Sequence, residues 1–265
     1  MITLLTDFGT ADYFIPAVKG VILSINPQTQ IIDLTHEIPA QDAAAGAFTL
    51  GACYYNFPAG TIHLAVVDPG VGSARRAIVV QAGEHLFVGP DNGLFSYVYR
   101  REERVRVFQV ESTKLFRQPA SATFHGRDVF APIAAHLSKG LLPELVGREV
   151  FDFVTLEIPK PVVDDERRVI GAVIHIDRFG NCITNLTERE LPLQSATANS
   201  QPPKLFFAGQ QVTQFGSHFE AATDKASLFA YPGSAGFWEI ALWCDSAAEK
   251  FAVKRGDKII LDFGL

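Results

Sequence analysis

The first half of the chain alternates short apolar runs with segments in which apolar residues recur at helical spacing. Strands are predicted at residues 2–6, 30–34, 61–67, 77–81 and 105–110. Helices are predicted between them, at residues 13–24, 43–54 and 128–138. Asp42 stands directly before the second helix, where its carboxylate can cap free N–H groups. The alternation is typical of an α/β domain in which helices sandwich a mainly parallel sheet.

The second half is predicted to be a separate, β-rich domain. Residues 155–168, TLEIPKPVVDDERR, lose the periodicity and gain proline and charge, as a linker does. We place the boundary near Lys160, with an α/β domain at 1–160 and a β domain at 161–265. Strands are predicted at residues 169–177, 204–207, 227–231, 237–242 and 258–263. Short strands separated by Gly, Pro and Asn turns predict a smaller antiparallel, β-barrel-like domain.

The composition is that of a protein with a large core and no polyanionic partner. The 265 residues are 48% hydrophobic, and 23 Lys and Arg face 29 Asp and Glu, for a formal charge of −6. Without a run of like charges, neither nucleic acid nor an anionic membrane is an expected partner. No apolar stretch reaches the roughly 18 residues of a membrane span. The start lacks the basic region of a signal peptide and the cysteines lack CxxC spacing, so we expect reduced thiols and a cytoplasmic location.

Acidic or amide residues directly follow several apolar runs. Asp7 follows ITLLT, Asp68 follows HLAVV, and Asp91 and Asn92 stand in GPDNG. In open α/β sheets, ligands bind beyond the carboxyl ends of the strands, so these side chains are candidates for a site. The alternative is that they only form turns, which Asp and Asn do readily.

The segment VVDPGVGSARR contains Gly70 and Gly72 in the spacing that opens a dinucleotide-binding motif. The third glycine position holds Arg75 instead, and the next residues, AIVVQ, predict a strand where the motif needs a helix. The segment is therefore predicted to be a tight turn that brings Asp68 and Arg75 together. That pair is either part of a site or an ordinary surface ion pair.

His125, in TFHGRDVF, is a candidate proton-transfer residue just before a predicted helix, although a histidine beside an aromatic residue is often structural. His36 also stays open, and the chain has no HExxH or comparable ligand spacing, so no metal site is expected. In IHIDRFGN, Asp177 and Asn181 could bind an ammonium group, but the same residues suit a plain hairpin.

Six motifs together resemble the S-adenosylmethionine hydroxide adenosyltransferase family, whose relatives include the S-adenosylmethionine-dependent fluorinase and chlorinase. They span nearly the whole chain in the family's order. The motifs are TDFG at 6–9, FPAGTIHLAVVDPGVGSARR at 57–76, GPDNG at 89–93, FHGRD at 124–128, IDRFGNCITN at 176–185 and GSAGFWEIAL at 233–242. The resemblance implies an enzyme that hydrolyses S-adenosylmethionine to adenosine and methionine, with no cofactor and no metal.

The resemblance also implies a homotrimer in which the α/β domain of one subunit and the β domain of its neighbour enclose the substrate. Asp7 matches the carboxylate that grips the ribose hydroxyls. Three positions match residues that hold the ammonium and carboxylate of methionine: Asp177, Asn181 and Ser234. Tyr54 and Phe179 are expected to line the nucleoside cleft, with Tyr55 as the alternative to Tyr54.

Asp68, Arg75 and His125 match the trio that the family uses to position and activate water. Water is a poor nucleophile, with a pKa near ~15.7, so a base must build hydroxide character as it approaches carbon. We expect in-line attack on the ribose C5′ carbon, with neutral methionine leaving from the sulfonium. At this stage either Asp68 or His125 could be the formal base.

Two features favour water over halide as the nucleophile. The chain has His125 and Gly126 where the fluorinase pattern has Tyr and Ser, and it lacks the extra fluorinase loop before the PDNG motif. Two departures stand against the resemblance: Gly233 precedes Ser234 where the family usually has Asn, and Gln41 replaces a tryptophan of the fluorinases. The rival functions are a halogenase, a sensor that binds without turnover, and an enzyme acting on another sulfonium nucleoside.

Overall fold

The computed structural model describes residues 1–192 and 203–263, and the chain divides into two compact units, Met1–Glu157 and Ile158–Leu265. A compact unit is a domain only if it also folds independently. The domain boundary near Lys160 therefore stays a prediction. The mixed α/β class is confirmed. No helix among the described residues has the length and apolar character needed to cross a membrane.

The first unit is built on a seven-stranded sheet with the order β2-β1-β3-β5-β4-β6-β7. Its strands are β1 Ile2–Thr6, β2 Ile31–Thr35, β3 Ile62–Val66, β4 Ala77–Ala82, β5 His85–Pro90, β6 Val105–Gln109 and β7 Glu149–Val150. The strands β2, β1, β3 and β5 pair in parallel, whereas β4 pairs antiparallel with both β5 and β6. The sheet is thus parallel on one side and antiparallel on the other. The antiparallel pairs are β5–β4, β4–β6 and β6–β7, and the prediction of a mainly parallel sheet omitted both β5 and β7.

Helices cover both faces of this sheet. They are α1 Phe14–Ile25, α2 Ala43–Cys53, α3 Ser96–Arg101 and α4 Ala131–Ser138. Successive residues of a strand point to opposite faces of the sheet. Leu4 belongs to the core that includes α1 and α4, and Leu5 belongs to the core that includes α2 and α3. The predicted cap of α2 is confirmed, because the Asp42 carboxylate accepts a 2.9 Å hydrogen bond from the Ala45 amide.

The second unit is a nearly closed, barrel-shaped sheet with a hydrophobic core of its own. Its strands are β8 Val162–Val163, β9 Val169–Ile176, β10 Cys182–Thr184, β11 Lys204–Phe207, β12 Gln210–Val212, β13 Gln214–Phe215, β14 Phe229–Pro232, β15 Trp238–Ala241 and β16 Lys258–Asp262. One short helix, α5 Ala247–Lys250, follows β15. The long strand β9 pairs with β16 along its first half and with β10 along its second, so it joins two parts of the barrel. The predicted barrel-like domain is confirmed.

Candidate active site

A cavity of about 370 Å³ lies in the first unit, beyond the carboxyl ends of β1 and β3. Asp7 follows β1, and Asp68 follows β3, and both line the cavity. Another part of the lining comes from the loop before α4 and includes Thr123 and His125. Parallel strands that end at one edge of a sheet place their following residues together, which is why residues distant in sequence meet here.

Arg75 joins Asp68 and His125 into one hydrogen-bonded group. Its Nε donates to Asp68 Oδ1 at 2.8 Å, and its Nη2 donates to Asp68 Oδ2. The same Nη2 lies 2.9 Å from His125 Nδ1. The side chains of Asp68 and Arg75 are only 5% and 11% exposed, so this is an enclosed pair and not a surface ion pair. The planar guanidinium therefore fixes the carboxylate and the imidazole relative to each other.

The contact with Arg75 determines which ring nitrogen of neutral His125 carries the proton. A guanidinium has donors and no acceptor, so His125 Nδ1 must accept and the proton must lie on Nε2. Burial and the Arg75 charge lower the pKa of His125, and the charges of Asp68 and Asp128 only partly oppose this. His125 is therefore neutral near pH 7, and its Nε2–H is the polar group that it can offer to a ligand.

The turn that carries Asp68 and Arg75 packs directly on the loop that carries His125. Gly72, in the turn, has a φ of +77°. A Cβ added to Gly72 would lie 2.5 Å from the Ala122 carbonyl oxygen, in the loop. A glycine is thus required both by the backbone conformation and by the close approach of the two segments.

Asp7 is held at the rim of the cavity by backbone. Its Oδ2 accepts a 2.7 Å hydrogen bond from the amide of Gln41. Gln41 has a φ of +65°, in the left-handed region that residues other than glycine rarely adopt. Strain of this kind persists where the surroundings hold the backbone, and here the carboxylate of Asp7 does so.

The second unit contains a larger cavity, of about 1080 Å³. Three of its lining residues are Asp177, Phe179 and Asn181, from the β9–β10 turn, and Ser234 lies elsewhere on the wall. Asp177 Oδ1 accepts from the amides of Phe179 and Asn181 at 2.9 Å, and Oδ2 accepts from the Asn181 side chain at 2.9 Å. The predicted hairpin is confirmed by the β9–β10 pairing. The same turn presents a carboxylate and an exposed phenylalanine to the cavity.

Tyr231 and Glu239 are among the polar residues of this cavity that were not predicted. Tyr231 donates a 2.6 Å hydrogen bond to Oε2 of Glu239, and both line the cavity. Burial raises the pKa of Glu239, and the nearby Asp177 charge adds to the rise. A Cβ on Gly233 would lie 2.0 Å from Glu239 Oε1, so the glycine at this position leaves room for the carboxylate. An acidic residue inside the apolar run FWEIAL was the signal available in the sequence.

The candidates Tyr54, Asp91 and Asn92 line neither cavity. Tyr54 has no exposed surface, and its hydroxyl donates to Glu102 Oε1 at 2.5 Å, so it belongs to the core and does not line a cleft here. Asp91 pairs with Arg76, and the Asn92 amide donates to the Val67 carbonyl. GPDNG is thus a structural turn. Among the described residues, no group of three or more His, Cys, Asp or Glu is placed to hold a metal ion.

Comparison with known proteins finds similarity along both units. The sequence pattern of the SAM hydroxide adenosyltransferase N-terminal domain matches residues 2–147, and that of the C-terminal domain matches residues 171–260. The (R)-S-adenosyl-L-methionine hydrolase of Thermus thermophilus is 37% identical over 95% of each chain. A fluorinase of Nocardia brasiliensis is more distant, 24% identical over 100% of this chain and 97% of its own. An uncharacterized conserved protein from Thermotoga maritima, 36% identical, superimposes with a TM-score of 0.88 over 99% of this chain and 100% of its own.

Proposed function

Because the chain belongs to the SAM hydroxide adenosyltransferase family, we propose that it hydrolyses S-adenosyl-L-methionine to adenosine and L-methionine. The proposal includes the R epimer that the name of the Thermus thermophilus relative specifies. The observation that supports it best is the hydrogen-bonded group of Asp68, Arg75 and His125 beside a cavity. Binding alone needs no such group, whereas water activation does.

Water is held and activated by Asp68 and His125. Neutral His125 has its Nδ1 occupied by Arg75, so it donates from Nε2 and orients the water oxygen. Asp68, fixed by Arg75, accepts the proton as the oxygen approaches the ribose C5′ carbon. The new C–O bond forms as the C–S bond breaks. The electron pair of the C–S bond stays with sulfur, and methionine leaves as a neutral thioether. Since the sulfonium charge disappears, a dry site favours the reaction and no general acid is needed.

The remaining site residues hold the two ends of the substrate. Asp7 accepts hydrogen bonds from the ribose hydroxyls, and Phe179 lines the nucleoside cleft. The methionine ammonium and carboxylate are held by Asp177, Asn181 and Ser234. These roles use the first unit and the second, and we propose a homotrimer in which neighbouring subunits supply the two parts. A cytoplasmic location and independence of metal and cofactor belong to the same proposal.

The test is a single labelled turnover assay. The EDTA-treated protein is incubated with each sulfur epimer of S-adenosylmethionine in ¹⁸O-labelled water, and the nucleoside is analysed by mass spectrometry. Adenosine that carries ¹⁸O is expected, because water attacks carbon. A 5′-chloro nucleoside in the presence of chloride would instead identify a halogenase. Ligand that stays bound and intact would identify a sensor.

A further inference from the structure

Asp128 is a buried carboxylate for which the proposed mechanism has no use. It stands three residues after His125, inside the π-helical turn Gly126–Phe130 that precedes α4. Its side chain has no exposed surface. Turns of this kind are rare and recur at functional sites, and a buried charge needs partners that compensate its lost hydration.

The partners of Asp128 come from both ends of the loop that carries His125. Arg127 donates to its two oxygens from Nε and Nη2, each at 2.7 Å. The Ser121 amide donates to Oδ2 at 2.8 Å, and Arg117 Nη1 lies 3.7 Å from Oδ1. The Arg117 amide also donates to the Asp128 carbonyl at 2.9 Å. Asp128 therefore connects the start of the loop to the turn at its end.

This connection bears on the geometry of the trio. Between the two anchored ends, Ala122 packs on Gly72 and His125 reaches Arg75. Burial by itself would raise the pKa of Asp128, but the hydrogen bonds from Arg127 and Ser121 hold it below its usual value. Asp128 thus stays ionised near pH 7. Its charge acts on His125 together with those of Asp68 and Arg75.

We propose that Asp128 is a positioning residue for the hydrolysis: by closing the loop from Arg117 to His125 it holds the imidazole against Arg75, and its charge acts on that imidazole. The inference rests on the proposed function, because it assigns Asp128 to the water-activating group. A side chain that served folding alone would leave kcat unchanged once the chain had folded.

The experiment compares Asp128→Asn with the unmodified chain. The kcat for S-adenosylmethionine is expected to fall roughly 10²-fold with little change in KM, since misplacement of a catalytic group by about 1 Å has that effect. The acid limb of the kcat profile is expected to move to lower pH, because a negative charge that raises the pKa of His125 is lost. An NMR titration of His125 measures the same shift without turnover.

Two arginine variants separate loop anchoring from charge. Arg117→Gln removes an ion pair of the loop and is expected to lower kcat several-fold without moving the titration of His125. Arg148→Gln is the matched control, since Arg148 is an exposed arginine paired with Glu111 elsewhere in the first unit. It is expected to leave kcat unchanged.

An unchanged kcat and an unshifted His125 titration in folded Asp128→Asn would overturn the proposal. If Asp128→Asn does not fold, the test is Arg117→Gln. A kcat of Arg117→Gln equal to that of Arg148→Gln would then overturn the proposal. Failure of the unmodified chain to hydrolyse S-adenosylmethionine would contradict the proposed function instead. In that case the His125 titration in Asp128→Asn still tests whether the charge of Asp128 acts on the imidazole.

Discussion

At the scale of single residues, the role of each side chain in the site depends on which of its donors and acceptors already have hydrogen-bond partners within the protein. Arg75 uses its donors on both oxygens of Asp68 and on Nδ1 of His125. Each carboxylate oxygen keeps a second lone pair for water, whereas neutral His125 keeps only a donor. The hydrogen-bond pattern thus favours Asp68 as the base, a choice that residue identity alone left open.

Substitution of each partner tests this assignment. Asp68→Asn is expected to lose about 10²-fold or more in kcat because the base is removed. His125→Gln is expected to lose less than His125→Ala, since a glutamine amide can donate from the position of Nε2. The measurement is kcat for the three variants at one pH. A larger loss in His125→Gln than in Asp68→Asn would make histidine the base.

The same assignment predicts the direction of the pH dependence. Because burial and Arg75 lower the pKa of His125 from 6.5, the neutral form is present at neutral pH and is lost only on acidification. Protonation removes the Nδ1 acceptor, so kcat is expected to fall as pH drops through that pKa. The acid limb of the kcat profile is expected to disappear in His125→Gln. If the limb stayed at the same pH in that variant, it would belong to the titration of another group.

At the scale of elements, two loops must touch for the trio to form. The 68–75 turn and the 117–125 loop follow different elements and meet at Gly72 and Ala122. Most of the secondary structure could be predicted, because the spacing of apolar residues along the chain shows which side of a helix or strand is buried. The missed elements include the strand β5, the helix α3 and several strands of two or three residues. The strand β5 follows a two-residue Gly83–Glu84 turn and ends in Gly89 and Pro90, and the helix α3 is short, so neither carries a long periodic pattern.

Gly72→Ala tests the contact between these loops. The added Cβ would lie 2.5 Å from a backbone oxygen and would force the loops apart, so kcat is expected to fall about 10-fold or more. Gly140→Ala is the matched control, because Gly140 has a φ of +92° but no atom within 4 Å of its Cβ position. Both variants are expected to lose about 1–2 kcal/mol of stability from the left-handed backbone conformation. Equal kcat values in the two variants would contradict the role of the contact.

At the scale of the whole molecule, a buried histidine couples stability to pH. His63 has no exposed surface, and its ring lies between Thr3 Oγ1, at 2.7 Å, and His85 Nδ1, at 3.3 Å. Burial, with a smaller effect of His85, lowers the pKa of His63 from 6.5 to about 3. Between these values the unfolded chain binds a proton that the folded chain does not. Stability is therefore lost as pH falls from about 6.5 towards 3.

Thermal denaturation between pH 7 and pH 4 measures this coupling. His63→Gln is expected to be less stable at pH 7, because it disturbs a packed polar site, but to show a shallower decline with acid. His218→Gln, at an exposed position, is the control and is expected to keep the original slope. Parallel slopes in all three proteins would assign the acid sensitivity to other groups.

Complementation tests whether neighbouring chains share a site. The variants Asp68→Asn and Asp177→Ala are each expected to be nearly inactive. The first leaves the second unit unchanged, and the second leaves the first unit unchanged. Coexpression is expected to restore activity, because the proposed trimer, when it mixes the two variants, would contain interfaces where both intact units meet. Asp68→Asn coexpressed with His125→Ala is the control, since both changes lie in the first unit. No recovery in the first mixture would contradict a site shared between subunits.

The sequence by itself determined the α/β and β-barrel-like architecture, most strands and helices, and the residues that resemble a known family, because apolar spacing and motif order are local properties of the chain. The tertiary structure decided which atoms meet. It enclosed Asp68 and Arg75, directed Arg75 to Nδ1 of His125, and withdrew Tyr54 into the core. It also placed Glu239 at a cavity and Asp128 at the end of a loop. Arg75 and His125 are 50 positions apart and Tyr54 and Glu102 are 48 apart, so these contacts follow only from the packing of the elements that carry them.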